Sequence, residues 1–341
     1  MISAVILIIM AGCAAVQYLK GTLIKSFQTF IAALCAGFVA LWWYEQLSEI
    51  VIKQELIVDF AQPVCFGMLF VITFAVLQTA AITLTKQKID FGVMPERVGR
   101  IAFGLLLGYV VSGVLLIGAA MSPLPDGYPY QRFDASRPDL KKPAGALLNP
   151  DGFLASLFGI ISGGSASGTQ SFAVLHAGFV DELYLNRLNP KAKVRVDAGG
   201  VTTPAKNATW PAPAGLKDIQ PPSDCEAIIT RVGLTGKIMT EGSLAINQLR
   251  FMCKKKDEKQ RLGGSAVLAY PIGYLTGDNQ VKTVGPKEII SLDAKNVKDG
   301  ALWFDFVLYV PKDFEPVAVG LRANAIAEVP PMVSAEQAPK Q

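Results

Sequence analysis

Four long runs without a charged side chain fill the first third of the chain and leave it few folds. The clearest covers residues 101–125, with no charge between Arg100 and Asp126. A helix needs about 20 apolar residues to cross the hydrocarbon of a bilayer, so this run is long enough with margin, its helix covering residues 101–123. The other runs cover residues 2–18, 27–44 and 60–85. Only a helix lets a single lipid-exposed segment satisfy its own backbone N–H and C=O groups. Residues 1–125 therefore predict a membrane domain of four transmembrane helices.

The charge deficit is local to this region. The whole chain of 341 residues is 18% charged, where soluble domains are about a quarter charged, and residues after 125 have ordinary soluble composition. A membrane part followed by a soluble part is the expected organisation. The net charge of +4 is too small to argue for a nucleic-acid partner. Cys13, Cys35 and Cys65 lie inside apolar runs, and Cys225 and Cys253 in the soluble part. With one histidine and no CxxC pair, a zinc site of the usual spacing is excluded, and no metal or cofactor is expected.

The loops carry the orientation. Those after runs one and three hold six basic residues, Lys20, Lys25, Lys86, Lys88, Arg97 and Arg100, whereas the N-terminus and the loop after run two hold only Lys53. Lysine and arginine concentrate on the cytoplasmic side. The first and third loops are therefore placed in the cytoplasm. The N-terminus and, after four crossings, the C-terminal region are placed outside the cytoplasmic membrane. Arg132, Arg137, Lys141 and Lys142 pull the other way, but a long translocated domain is less constrained by such charges. Trp42-Trp43-Tyr44 suits a membrane–water interface, and residues 45–59 read as a polar connection.

Met10-Ala11-Gly12-Cys13 resembles a lipoprotein cleavage box. However, no Lys or Arg precedes the apolar run, and secretory signals begin with a positive region. An uncleaved first helix with a small-residue face explains the stretch better. Gly104 and Gly108 offer a similar face on run four, because small residues four apart let helix backbones approach closely. Its expected use is packing within the four-helix unit.

Residues 126–224 read as a linker. It holds a short helix over 151–162, capped at Asn149-Pro150-Asp151, a second over 172–188, and a Pro-rich irregular connector over 190–222. The helix at 151–162 is too short to span and is expected at the interface or on the soluble domain. Residues 225–330 predict a soluble, mainly β domain of sandwich type. Its strands are expected over 225–232, 244–253, 265–272, 287–292, 301–310 and 317–324. Residues 254–261 (Lys-Lys-Lys-Asp-Glu-Lys-Gln-Arg) read as a solvated hairpin tip. Residues 331–341 read as a disordered tail.

Two places resemble the colicin V production protein (CvpA) family, whose members are small four-helix inner-membrane proteins. One is Lys20-Gly21 with Leu23, Ile24 and Lys25, similar to the family's short basic glycine-containing loop between helices one and two. The other is Glu96-Arg97-x-x-Arg100-x-x-x-Gly104-x-x-x-Gly108, similar to the family's acidic-Arg pair followed by glycines at four-residue steps. Arg100 stands where the family often has glycine, and Gln17 where another glycine is common. The resemblance covers about residues 1–125. It implies a link to toxin production and envelope maintenance, and it carries over no catalytic residue.

Three functional classes follow. Some members of such families join a four-helix anchor to an external serine protease, and Ser162, Ser165 and Ser167 lie in a glycine-flanked loop. A serine triad needs a histidine base held by an acid. The sole histidine, His176, sits among apolar neighbours and reads as packed, and no lysine is placed beside those serines. A channel or transporter would be marked by intramembrane ionisable residues, and the four runs contain none. The reading favoured is a non-enzymatic anchor or scaffold. It would contact membrane lipid, display the β domain to another protein or an envelope polymer, and leave self-association open. In an external domain Cys225 and Cys253 would be candidates for a disulfide.

Overall fold

The structure is a computed structural model of the chain, and it describes residues 1–339 other than 56, 85–90, 135–137, 141, 165–167, 189–198, 214, 217–218, 257, 277–279 and 294–296. Four long helices come first: α1 (Ile2–Lys20), α2 (Leu23–Lys53), α3 (Ala61–Leu84) and α4 (Val93–Met121). All four coincide with stretches long and apolar enough to cross a membrane. Two extend beyond the apolar runs. α2 continues through residues 45–53, read above as a connection, because that stretch has no glycine or proline and is rich in helix formers. α4 begins at Val93, with Pro95 tolerated in the first turn, where its missing N–H costs nothing.

α2 packs on α3 and α4, and α1 on α4. The contacts rest on small residues: Ala32, Ala33, Ala36, Gly37 and Ala40 of α2 are all buried. Lipid tails are as apolar as leucine, so helices in a membrane gain little by burying bulk and associate through close packing.

By its contacts the chain divides into two compact units. One comprises residues 1–132 and 141–158, the other residues 133–140 and 159–341. Helix α5 (Pro150–Gly163) joins them along the chain. Its first half packs against the long helices. The Leu154 methyls lie over Gly37 of α2. The Phe158 ring lies 5.7 Å from both Phe38 and Trp42.

The second unit is a sandwich. Strands β1 (Val201–Thr202), β2 (Thr209–Pro211), β3 (Cys225–Leu234), β7 (Pro271–Thr276), β8 (Gln280–Thr283), β10 (Val297–Lys298) and β11 (Ala301–Pro311) form one antiparallel sheet. Its main path runs β1-β3-β11-β7-β8. Strands β5 (Leu249–Lys255), β6 (Val267–Ala269), β12 (Phe314–Leu321) and β13 (Ala325–Glu328) form a second sheet in the order β13-β12-β5-β6. β4 (Ser243–Ala245) pairs β9 (Ile289–Ser291) in a separate two-stranded sheet among the described residues.

The two-residue period of a strand decides what lies between the sheets. Ile228, Val232, Phe306, Leu308 and Val310 of the first sheet meet Leu249, Phe251, Cys253, Val319 and Leu321 of the second in one core. On the far face of the second sheet Met252 joins Val174, Leu262 and Val317. That face is covered by the segment holding α6 (Phe172–Leu175) and α7 (Phe179–Leu185).

Several sequence expectations need revision here. The helix expected over 172–188 is broken at His176–Gly178, where Gly178 takes φ +67°. The Pro-rich connector supplies β1 and β2, short edge pieces paired to β3. Lys254, read as part of a solvated tip, is 2% exposed. The tail read as disordered packs down through residue 338: Val333 N–H donates to Thr209 O at 2.9 Å, and Val333 and Ala338 lie against the cluster of Trp210, Ile229, Val281 and Val307. Apolar side chains in an otherwise polar tail have a face to cover.

Candidate functional site

The two motif stretches that stand 70 residues apart in sequence meet at one end of the helical unit. Leu23 N–H, at the start of α2, donates to Glu96 Oε1 at 3.0 Å. Arg100 reaches the same oxygen with Nη2 at 2.7 Å and Nε at 3.2 Å, and its Nη1 reaches Tyr18 O at 3.4 Å. The first N–H groups of a helix have no partner inside it, and the positive end of the helix favours an anion there. Glu96 supplies both from a different helix. Thr22 caps the same turn, its hydroxyl accepting Lys25 N–H at 3.3 Å. Gly21 permits the tight exit from α1, since a Cβ there would stand 2.6 Å from Gln17 O and 2.8 Å from Ser26 Oγ. The two departures from the family pattern have roles in this cluster. Arg100 clamps Glu96, and Gln17 Oε1 accepts the Ser26 hydroxyl at 3.0 Å. Lys20 and Arg97 are exposed.

Further along α4, Gly104 and Gly108 face α1. A Cβ on Gly104 would stand 2.6 Å from Ala14 Cα, and one on Gly108 2.5 Å from Met10 Cα. At both glycines α4 approaches the backbone of α1 too closely for a side chain.

A third feature was not legible in the sequence. The turn before α5 places Leu148 and Asn149 both at positive φ, 61° and 48°. Tyr109 of α4 donates its hydroxyl to Leu148 O at 2.9 Å. Pro150 O lies over Gly113, where a Cβ would come within 2.5 Å of it. Asp151 is fully buried. Its Oδ2 accepts the Tyr130 hydroxyl at 2.5 Å, and its Oδ1 has no hydrogen-bond partner. Arg132 Nη1 donates to the Tyr130 hydroxyl oxygen at 2.9 Å and to Ala144 O at 3.2 Å.

In the soluble unit a set of buried polar side chains links the helical cover to the sheet beneath it. Glu182 of α7 is 2% exposed and holds Arg250 Nη2 at 2.5 Å through Oε1 and His176 Nδ1 at 3.2 Å through Oε2. Arg250 also donates to Arg322 O at 2.7 Å, and Arg322 reaches Gln248 Oε1 at 3.1 Å and Glu241 Oε2 at 2.6 Å. The lattice ties the helical cover to β5 and β12. Lys254 Nζ binds Gln260 O at 2.6 Å, Gly263 O, and the Glu258 carboxylate at 2.5 Å. Ser162 donates to Gly159 O at 3.1 Å and accepts Ala173 N–H at 3.2 Å, while His176 packs between Phe172 and Phe179. Ser165 and Ser167 lie outside the described residues.

The disulfide considered between Cys225 and Cys253 does not form, and none of the five cysteines is bridged. Cys225 opens β3 in the first sheet, opposite Pro311, and Cys253 belongs to β5 in the second, opposite Val267. Cys253 is fully buried, and that burial pushes its thiol well above the ordinary range, which makes it a packing residue. A hollow of about 380 Å³ lies beside β2, lined by Pro211, Pro213, Leu216, Ile219, Pro221 and Glu226. Among the described residues no group of three or more His, Cys, Asp or Glu is placed to hold a metal ion.

Comparison with known proteins separates the two parts of the chain. Residues 2–137 match a family model described as colicin V production protein. No curated protein and no solved structure matches the chain. The match spans α1 to α4 and both motif stretches, which the structure brings together, and it ends before α5. Over its N-terminal four-helix region, the chain is similar to the colicin V production protein family.

Proposed function

We propose that the chain is a membrane scaffold. Its four helices anchor the β domain on the outer side of the cytoplasmic membrane, where the domain binds another protein or an envelope polymer and performs no covalent chemistry. The observation that carries the reading is the loop asymmetry, six basic residues against one, combined with an even number of spans, which returns the chain to the side of its N-terminus.

Two further observations support it. The buried Glu182 carboxylate ties α7 to the second sheet, with His176 on one oxygen and Arg250 on the other. The hollow beside β2 joins proline and aliphatic side chains to the Glu226 carboxylate, a mixed surface of the kind that receives a ligand. The family description connects the anchor to colicin V production, and on this reading its contribution is to hold the domain at the envelope. The test is thiol access. Asp299, exposed in a turn at positive φ, is changed to cysteine in the full chain with native cysteines replaced. A membrane-impermeant maleimide should label it in intact cells once the outer barrier is opened. Labelling only after the cytoplasmic membrane is lysed would refute the placement.

A further inference from the structure

The position of α5 can be measured along the helices it touches. Tyr109, which binds Leu148 O, follows Arg100 by nine residues, about 14 Å along the helix at 1.5 Å per residue. Gly113, which receives Pro150, precedes the end of α4 at Met121 by eight residues, about 12 Å. Gly37, which receives Leu154, follows Lys25 by twelve residues, about 18 Å. The hydrocarbon core is about 30 Å thick. Three contacts on two spans thus place the turn and the first half of α5 near the middle of the bilayer. Charged residues mark one end of those spans, and the aromatic cluster at 42–44 marks the other.

We infer that residues 144–158 are a re-entrant membrane element. They enter beside α4 to mid-membrane depth, turn at Leu148-Asn149, and return as α5 to the side they came from. Their outward face contacts lipid acyl chains. That face carries Leu147, Leu148 and Phe153, exposed by 38%, 56% and 43%. It continues the outward apolar surface of α4, where Leu106 and Leu115 are likewise exposed. Non-helical backbone survives at membrane depth only where protein satisfies it, and here the Tyr109 hydroxyl donates to Leu148 O and Asn149 N–H donates to Ala146 O. Ionisable groups at that depth turn inward and pair, and Asp151 is fully buried with the Tyr130 hydroxyl on one oxygen. The element thereby gives the membrane unit the ionisable group that its four spans lack. The inference is independent of which side the β domain occupies, because depth and sidedness are separate measurements.

The test is spin-label depth on the full chain in lipid nanodiscs, with native cysteines replaced. Labels go at Leu148→Cys and Phe153→Cys, with Leu115→Cys as the lipid-facing reference and Asp299→Cys as the aqueous one. Positions 148 and 153 should match position 115 in oxygen collisions and show the same loss of collisions with a water-soluble nickel chelate relative to position 299. Nickel collisions equal to those at 299 would overturn the re-entrant placement. Protection from both quenchers would overturn lipid contact and put a protein on that face. Should Leu148→Cys fail to fold, Phe153→Cys on the helix reads the same depth.

Discussion

The membrane unit and the β domain solve the same packing problem with opposite materials. In the membrane unit, α1 and α4 touch at glycine, with Gly104 and Gly108 set against the backbone of Ala14 and Met10. A charged cluster sits at one end, where Glu96 and Arg100 close the α1–α2 turn. In the β domain a broad apolar core separates two sheets, and full charges are buried on the outer face of one of them. The difference follows from the solvent. Burying apolar surface drives association in water but not in lipid. The water-soluble part can therefore carry the cost of desolvating Glu182 and Arg250, and the membrane part must rely on fit.

Substitutions should expose that difference, beginning with the largest effect. Arg250→Met leaves Glu182 buried without its cation, and such a break typically costs about 3–5 kcal/mol. The double variant Glu182→Leu with Arg250→Met should recover most of it, because replacing a whole buried pair by apolar groups is often neutral. Hydrogen exchange of β5 and β12 amides in the full chain reads both. Failure of the double variant to recover would mean that the pair has a role beyond packing. Gly108→Leu should cost the helical unit about 1–3 kcal/mol by overpacking, seen as lower resistance to detergent unfolding, with β-domain exchange unchanged. Loss of protection in both regions would contradict their independence.

Smaller effects follow at the motif cluster. Glu96→Ala removes the acceptor for Leu23 N–H and should cost about 1 kcal/mol, as a lost helix cap does. Arg100→Ala should cost only a few tenths of a kcal/mol, since Arg100 is 24% exposed and surface pairs contribute about 0–1 kcal/mol. Both are read by the same detergent unfolding. A larger loss for Arg100 than for Glu96 would show that the arginine, not the capping carboxylate, holds the turn.

Much of the architecture was legible because the signals were local. Uninterrupted apolar length identifies a span, and short β-branched runs between turn residues identify a strand. The family resemblance was also written locally, at Lys20-Gly21 and Glu96-Arg97. The contact between those stretches was not, because nothing in either names the other. Asp151 shows the limit more sharply. In sequence, Asn-Pro-Asp is an ordinary helix start. Its burial against Tyr130 depends on a chain reversal 21 residues long that no periodicity announces. The lattice of Glu182, Arg250 and Arg322 is hidden for a related reason. Glu182 lies on a helix, Arg250 on a strand and Arg322 in the turn after β12, and only the stacking of one layer on another brings them together. The tail was misjudged because its few apolar residues gain order only from the face they cover.

The central claim is that four spans and a basic inner end place the β domain outside the cytoplasmic membrane. Paired fusions after Gln341 test it most directly. One carries alkaline phosphatase, which is active only outside, and the other a fluorescent protein that matures only inside. The account predicts an active phosphatase and a dark fluorescent fusion. A bright fluorescent fusion with an inactive phosphatase would contradict it.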